Sequence, residues 1–216
     1  MNQNVADHYD GMARWYEILD WAFERFRYRQ LRPEVWNHAT GRTLELGVGT
    51  GLNIPFHPAG MEVVGIDSSE GMLTRARARA KVLGRQMEFH CMDARILEFP
   101  DASFDSAVAT FLFCVLPDSE QPGVLAQIQR VLRPGGRLVL LEYVYSQNPI
   151  RRMWMRLQAP LVRRLYLAGF DRQTRRHLDD AGWEAVEDRF LWKDVIRLIV
   201  AVPPRQAESP PRMLEG

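Results

Sequence analysis

Three glycines, Gly47, Gly49 and Gly51, alternate with other residues directly after the short run TLEL, whose Glu45 stands two residues before the first. A backbone without Cβ atoms takes positive φ readily and can lie close against a ligand. Turns of the form G-x-G-x-x-G let a pyrophosphate rest on a helix N-terminus. Here the form is G-x-G-x-G, with Leu52 where that pattern has glycine, and a plain strand-to-helix turn would use the same glycines. Roughly 20 residues on, Asp67 ends a second β-rich run, EVVGID, in the place of an acid that accepts hydrogen bonds from both ribose hydroxyls. Asp93 ends a third run, QMEFHCMD, one sheet position further, where a carboxylate can accept from an adenine amino group. Glycine loop, acid and acid at successive strand ends point together to a nucleoside site, which none of them does alone.

The elements that must hold these residues alternate. RTLELG, EVVGID, QMEFHCMD and FDSAVATF read as strands, and a helix is expected from about 69 to 83, its buried face Leu73, Ala76, Ala80 and Leu83. A second helix covers 121–132, with Val124, Leu125, Ile128 and Val131 at helical spacing, and RPGG then turns the chain into the long buried strand RLVLLEYV. Asp105 reads as a strand-start or turn residue. Helices at 149–167 and 173–181 precede two closing strands in WEAVEDRFLWKDVIRLIVAVP. Strand–helix alternation implies an α/β fold: a Rossmann-like, doubly wound, seven-stranded sheet with an antiparallel edge. Residues 1–40 are expected to form a helical cover broken near LRP, residues 41–202 the main domain, and 203–216, rich in proline and polar residues, a disordered tail.

Composition narrows the class. With 46% hydrophobic and 25% charged residues and a net charge of +1, the 216-residue chain resembles a soluble globular domain, not a disordered or membrane-spanning one. The start MNQNVADHYD lacks the basic-then-apolar order of a signal peptide, and the two cysteines, Cys91 and Cys114, suggest no disulfide framework. A cytoplasmic location is expected, with peripheral contact at the inner membrane surface left open. No metal site is expected, and the oligomeric state is not legible.

The segments ELGVGTG, VVGIDSSEGML, CMDA, FDSAVATF and VLRPGGRLVLLE make the chain resemble the class I S-adenosylmethionine-dependent methyltransferases. By that resemblance Glu45, Gly47, Gly49 and Gly51 frame the methionine moiety and sulfonium of S-adenosylmethionine. Asp67 holds the ribose, with Ser68 counted in the same set. Met72 packs on the adenine, Asp93 and Ala94 read its edge, and Thr110 lines the methyl-donor site. Met72 would equally serve as core. The product would be S-adenosylhomocysteine.

Four residues qualify as catalytic helpers, each with a structural role equally open. His57 follows the glycine loop on the ligand-bearing edge, and Glu142 ends the fifth strand. Tyr9 and Tyr16 stand in the tyrosine places of a segment resembling the N-terminal cover of many such enzymes. A nucleophilic amine must be neutral to attack, so a base or a depressed amine pKa would help.

The acceptor is less legible. Between Pro149 and His177 the chain carries Arg151, Arg152, Arg156, Arg163, Arg164, Arg172, Arg175 and Arg176 against the single acid Asp171. On a helical wheel Ile150, Met153, Trp154, Leu157, Leu161 and Leu165 fall together, with Arg152, Arg156 and Arg163 opposite and a kink expected at Pro160. Such a helix either packs on its own domain or lies at an anionic membrane surface. Nucleic acid is not expected, because no Asn-Pro-Pro-Tyr-type motif follows the fourth strand, where TFLFCVLPD stands. GVGTGLNIPFHP and FLFCVLPD resemble phosphatidylethanolamine N-methyltransferases first, and also ubiquinone/menaquinone C-methyltransferases and membrane-associated thiol methyltransferases. A phospholipid headgroup amine is therefore the expected acceptor, with a small thiol or a quinone carbon as alternatives. A non-catalytic module that binds S-adenosylmethionine is the rival of a different class.

Overall fold

The computed structural model describes residues 28–204. The expectations for Tyr9, Tyr16, the start of the helical cover and most of the tail lie outside the described residues. Seven strands form one sheet: β1 (Thr43–Leu46), β2 (Val63–Asp67), β3 (Glu88–Cys91), β4 (Phe104–Thr110), β5 (Leu132–Tyr143), β6 (Glu184–Trp192) and β7 (Ile196–Val202). Their order is β3-β2-β1-β4-β5-β7-β6. The pairings from β3 across to β5 are parallel, and β7 runs antiparallel to both β5 and β6 at the far edge. Strand order reverses between β1 and β4, so the crevice outside their carboxyl ends is where such a sheet binds ligands.

The helices are α1 (Arg29–Trp36), α2 (Glu70–Val82), α3 (Gln121–Val131), α4 (Pro149–Tyr166) and α5 (Thr174–Asp180). Both faces of the parallel strands are covered, because side chains alternate across them. Ala107, Ala109, Leu138 and Leu140 face a core with Leu125 and Ile128 of α3. Val108, Val139 and Leu141 face the opposite way, against Val35 and Trp36 of α1. That end of the N-terminal segment is thus part of the domain core. The expected break at LRP does not occur, and α1 runs through Pro33, whose carbonyl accepts the Asn37 amide at 2.9 Å.

Other expectations shift locally. In α2 the buried face is Met72, Leu73, Ala76 and Ala80, while Leu83 is 43% exposed because the helix ends before it. Ser69 caps that helix, its hydroxyl oxygen accepting the Met72 amide at 3.1 Å. RPGG turns as expected: the register jumps from Phe104↔Leu132 to Ser106↔Arg137, so Arg133 to Gly136 loop out of the ladder. Asp105 is structural, accepting the Arg42 amide and pairing with Arg133, which holds its carboxyl below the usual range.

α4 is an excursion from the body, and its base is tied down. The Tyr145 amide donates to the Phe170 carbonyl at 3.0 Å, joining the chain just before the helix to the chain just after it. Asp194 pairs with Arg151 and accepts from Ser146 Oγ and the Gln147 amide, both at 2.7 Å; the Ser146 hydroxyl first, and then the amides, hold its carboxyl far below the usual range. Asn148 caps the first turn, its Oδ1 accepting the Ile150 and Arg151 amides. The helix continues past Pro160, and Leu167 closes it in the left-handed region at φ 53°. No helix among the described residues is long and apolar enough to cross a membrane.

Candidate active site

The carboxyl ends of β3, β2, β1 and β4 carry Asp93, Asp67, the glycine loop and Thr110 in that spatial order, along one side of a cavity. Three strand spacings of about 4.8 Å separate the first from the last, which suits an elongated ligand. The cavity is lined by Gly47, Val48, Gly49, Thr50, Leu52 and Asn53 from the loop, and by Ile66, Asp67, Ser68 and Met72 around β2. Met92, Asp93 and Ala94 follow β3; Thr110, Phe111, Leu112, Val115 and Leu116 follow β4; Arg32 enters from α1.

The loop's glycines do different work. Gly49, at φ 55°, has only the Gly47 carbonyl, at 4.0 Å, near the place of a Cβ, so here the backbone itself borders the cavity. Gly51 lies outside the lining; a Cβ there would meet Ile54 at 2.5 Å and α2 at Ala76 Cα at 3.1 Å, so its bareness serves packing. The loop is braced from two sides. The Gly49 amide donates to Asp67 Oδ2 at 2.9 Å, and the half-buried Arg79 donates to the Thr50 carbonyl at 3.0 Å.

Asp67 also accepts the Ser69 amide on Oδ1 at 3.0 Å. A carboxylate oxygen can accept more than one donor, as sharing with two ribose hydroxyls requires. Asp93 lines the cavity, but Arg95 grips its carboxylate with Nε at 3.1 Å from both oxygens and Nη2 at 2.7 Å from Oδ2. An adenine amino group would share that carboxylate with Arg95.

Behind the loop lies a buried polar chain. Arg32 Nη1 donates to Asn53 Oδ1 at 2.5 Å, and Asn53 Nδ2 donates to Glu45 Oε1 at 2.8 Å and Thr110 Oγ1 at 3.1 Å. His57 Nε2 stands 3.0 Å from Glu45 Oε2. Glu45 and His57 are 1% and 5% exposed and neither lines the cavity. The His57 ring instead packs on Trp36, with centroids 4.1 Å apart. In this arrangement His57 holds Glu45, and Glu45 holds Asn53 in the lining, so the geometry gives no support to His57 as a base at the reacting atoms.

Glu142 is likewise away from the lining, at 3% exposure. Its two oxygens accept the Phe113 amide at 2.9 Å and the Cys114 amide at 2.7 Å. Burial pushes its carboxyl up to about 8 against the opposing pull of those amides. The neighbouring Cys114 thiol is pushed well above its ordinary value, by burial first and then by Glu142. Phe111 takes φ 58°, a left-handed conformation that costs a bulky residue about 1–3 kcal/mol. Glu142 is thus the strut of the Phe111–Leu116 wall. Tyr9 and Tyr16 lie outside the described residues, and no metal-holding cluster occurs among the described residues.

Arg32 and Asn53 were not singled out from the sequence. Arg32 is 5% exposed and belongs to a helix whose place over the site comes from Val35 and Trp36 packing on the sheet. Asn53 stands in the glycine-loop stretch, but nothing local marks it as a hub.

These residues fit S-adenosylmethionine. The open face at Gly49 admits a ligand against the backbone, and Thr50 Oγ1, buried in the lining, has no partner among the described residues. Acids serve the nucleoside end, and the cation Arg32 lies beside the glycine loop and Thr110, where an amino-acid carboxylate would fall.

Comparison with known proteins agrees. A family model described as a methyltransferase domain matches residues 43–136. A phosphatidylethanolamine N-methyltransferase of Cereibacter sphaeroides is 44% identical over 141 residues, covering 62% of this chain and 68% of that one. A demethylmenaquinone methyltransferase of Thermus thermophilus is 42% identical over 146 residues, covering 66% of this chain and 64% of that one, so the chain spans less than two thirds of this relative. A solved SAM-dependent methyltransferase from Aquifex aeolicus shares the fold, with a TM-score of 0.63 at 18% identity over 89% of this chain and 97% of that one. The chain belongs to the class I S-adenosylmethionine-dependent methyltransferases. It is an enzyme with S-adenosylmethionine as its methyl donor, not the non-catalytic module weighed against it.

Proposed function

We propose that this methyltransferase acts on the headgroup amine of an ethanolamine phospholipid. The observation that carries the reading is the character of the wall after β4: Phe111, Leu112, Val115 and Leu116 face the cavity beside Thr110, and among the described lining residues there is no histidine, lysine or cysteine. Apolar surroundings disfavour an ammonium and favour the neutral amine, which already carries the lone pair that attacks. The 44% identity to a phosphatidylethanolamine N-methyltransferase supports the same choice.

Bound in the cavity, S-adenosylmethionine supplies a methyl group on positively charged sulfur, a good leaving group. The chain's part is then binding, alignment and exclusion of water. Asp67 and Ser68 take the ribose, Met72 the adenine face, and Asp93 with Ala94 the adenine edge. Gly47, Gly49 and Thr110 border the methionine moiety. Glu45 acts from behind through Asn53, and Arg32 pairs with the carboxylate. The wall braced by Glu142 keeps water from the acceptor amine.

A second reading, methylation of a quinone-ring carbon, is supported by the 42% identity to the demethylmenaquinone enzyme. It asks more of the site, because carbon methylation needs a base to remove a ring proton. The test is incubation of the full chain with labelled S-adenosylmethionine and, separately, phosphatidylethanolamine vesicles, demethylmenaquinone and a thiol panel, with products identified by mass spectrometry. Mass added to phosphatidylethanolamine alone is the expected result; label on the quinone or a thiol only would overturn it.

A further inference from the structure

We propose that α4 docks the enzyme on an anionic lipid surface, lying in the interface with its axis parallel to the membrane. The proposal goes beyond the choice of acceptor and holds for any of the candidate acceptors. Its basis is an inversion of ordinary packing. No described side chain of this 18-residue helix is fully buried. Ile150, Met153, Trp154, Leu157 and Leu161 are between 54% and 66% exposed. Met155, Ala159 and Val162, half-buried, turn towards the body instead, and Met155 packs on the core around β5 and β7.

The apolar stripe is therefore neither core nor scattered exposure. Along a helix, residues three, four and seven apart share a face, so these five side chains form one continuous outward ridge. Contiguous exposed apolar surface on a soluble domain marks an interaction site.

Charge selects the occupant. The helix carries Arg151, Arg152, Arg156, Arg163 and Arg164 and no acidic residue. Arg151 is spent on Asp194 at the base, and Arg163 has a 3.3 Å contact with Asp171 at a largely exposed site. Arg152, Arg156 and Arg163, expected opposite the stripe, fall between the ridge and the body-facing Met155, Ala159 and Val162, so they border the ridge on one flank, and Arg164 falls within its arc. An apolar ridge edged by cations suits lipid headgroups above and acyl chains below: the chains take the tryptophan, leucines and methionine, and the anionic headgroups take the guanidinium groups. A second copy of the same helix would set arginine against arginine.

Position adds a second argument. The excursion leaves from the end of β5 and returns at Gly169, whose amide donates at 2.8 Å to the Cys114 carbonyl, in the loop that walls the cavity. The ridge is thereby tied to the acceptor side of the site by one short backbone path. Docking through it brings the cavity mouth to the surface where a lipid-soluble acceptor resides.

The test uses the full chain with vesicles of phosphatidylcholine alone and of phosphatidylcholine mixed with phosphatidylglycerol, read by co-sedimentation. The wild type is expected to bind the mixed vesicles and to favour them over phosphatidylcholine by about tenfold or more. Trp154→Ser with Leu157→Ser should lose binding to both, whereas Arg152→Gln, Arg156→Gln and Arg163→Gln together should lose only the preference for the anionic lipid. Calorimetric binding of S-adenosylmethionine, unchanged in both variants, shows that the fold is kept and separates docking from the active site. Undiminished vesicle binding by the double serine variant overturns the proposal, whichever other segment, residues 1–27 included, then carries it. A dimer in solution that the same variant dissociates overturns it in favour of a second copy.

Discussion

Asp67 and Gly49 are joined at 2.9 Å, the glycine amide donating to Oδ2, so the acid proposed for the ribose also fastens the glycine loop to β2. Ligand binding and loop geometry share one carboxylate. Asp67→Ala should lower S-adenosylmethionine affinity by about 2–4 kcal/mol, from the loss of hydrogen bonds to ribose and release of the loop together. Calorimetry on Asp67→Ala and Asp67→Asn measures it, and the asparagine variant, which keeps one acceptor oxygen, should fall between. Equal affinity in all three proteins would remove Asp67 from the site.

Arg32 offers a cleaner separation. If it pairs with the carboxylate, Arg32→Ala should weaken S-adenosylmethionine binding by about 1.5–3 kcal/mol. Binding of 5′-methylthioadenosine, which keeps the nucleoside and lacks the carboxylate, should change little. Parallel losses for both ligands would mean that Arg32 acts only by holding Asn53.

His57 should behave as a brace. With Glu45 Oε2 at 3.0 Å and Trp36 against the ring, His57→Ala removes one of two hydrogen-bond partners of a buried carboxylate, leaving it Asn53. A loss of about 1–3 kcal/mol in urea unfolding is expected. The pH profile of turnover in the surviving folded protein should keep its shape. Disappearance of one limb of that profile would restore His57 as a general base.

Glu142 predicts a pH dependence of stability. Its folded pKa, about 8, lies above the ordinary carboxylate value, so the folded protein binds the proton more tightly than the unfolded chain does. Stability from this group is full below the unfolded pKa, falls as pH rises through the interval up to about 8, and levels beyond. The slope within that window approaches about 1.4 kcal/mol per pH unit. Urea midpoints from pH 5 to 9 (roughly the span the linkage covers) should decline in the wild type and flatten in Glu142→Gln.

What the sequence showed, and what it hid, follows from where each residue's constraint originates. Gly47 and Gly49 carry theirs in the backbone, at φ 65° and 55°, and leave a local mark. Asp67 and Asp93 are legible because strand ends are, and RPGG because a chain that loops out of a ladder favours such residues. Arg32 left no mark, since only the seating of α1 brings it to the cavity. For His57, left open between helper and structural residue, nearness in sequence to the glycine loop is not nearness to the cavity: the 3-10 turn Ile54–Phe56 carries it behind Glu45. For α4 the wheel defined the stripe without saying which way it faces, and that direction is set by the tie between Asp194 and the chain from Ser146 to Arg151.

The bond from Tyr145 to Phe170 makes the stretch between them an exchangeable cassette. Exit and re-entry meet at one point, so the outward face of α4 can be recoloured while every strand stays in register, provided the ties at Ser146, Arg151, Met155 and Gly169 are kept. Donor chemistry and anchorage are then free to evolve on separate clocks, the first held by strand ends buried in the sheet, the second by a surface limb that can be traded.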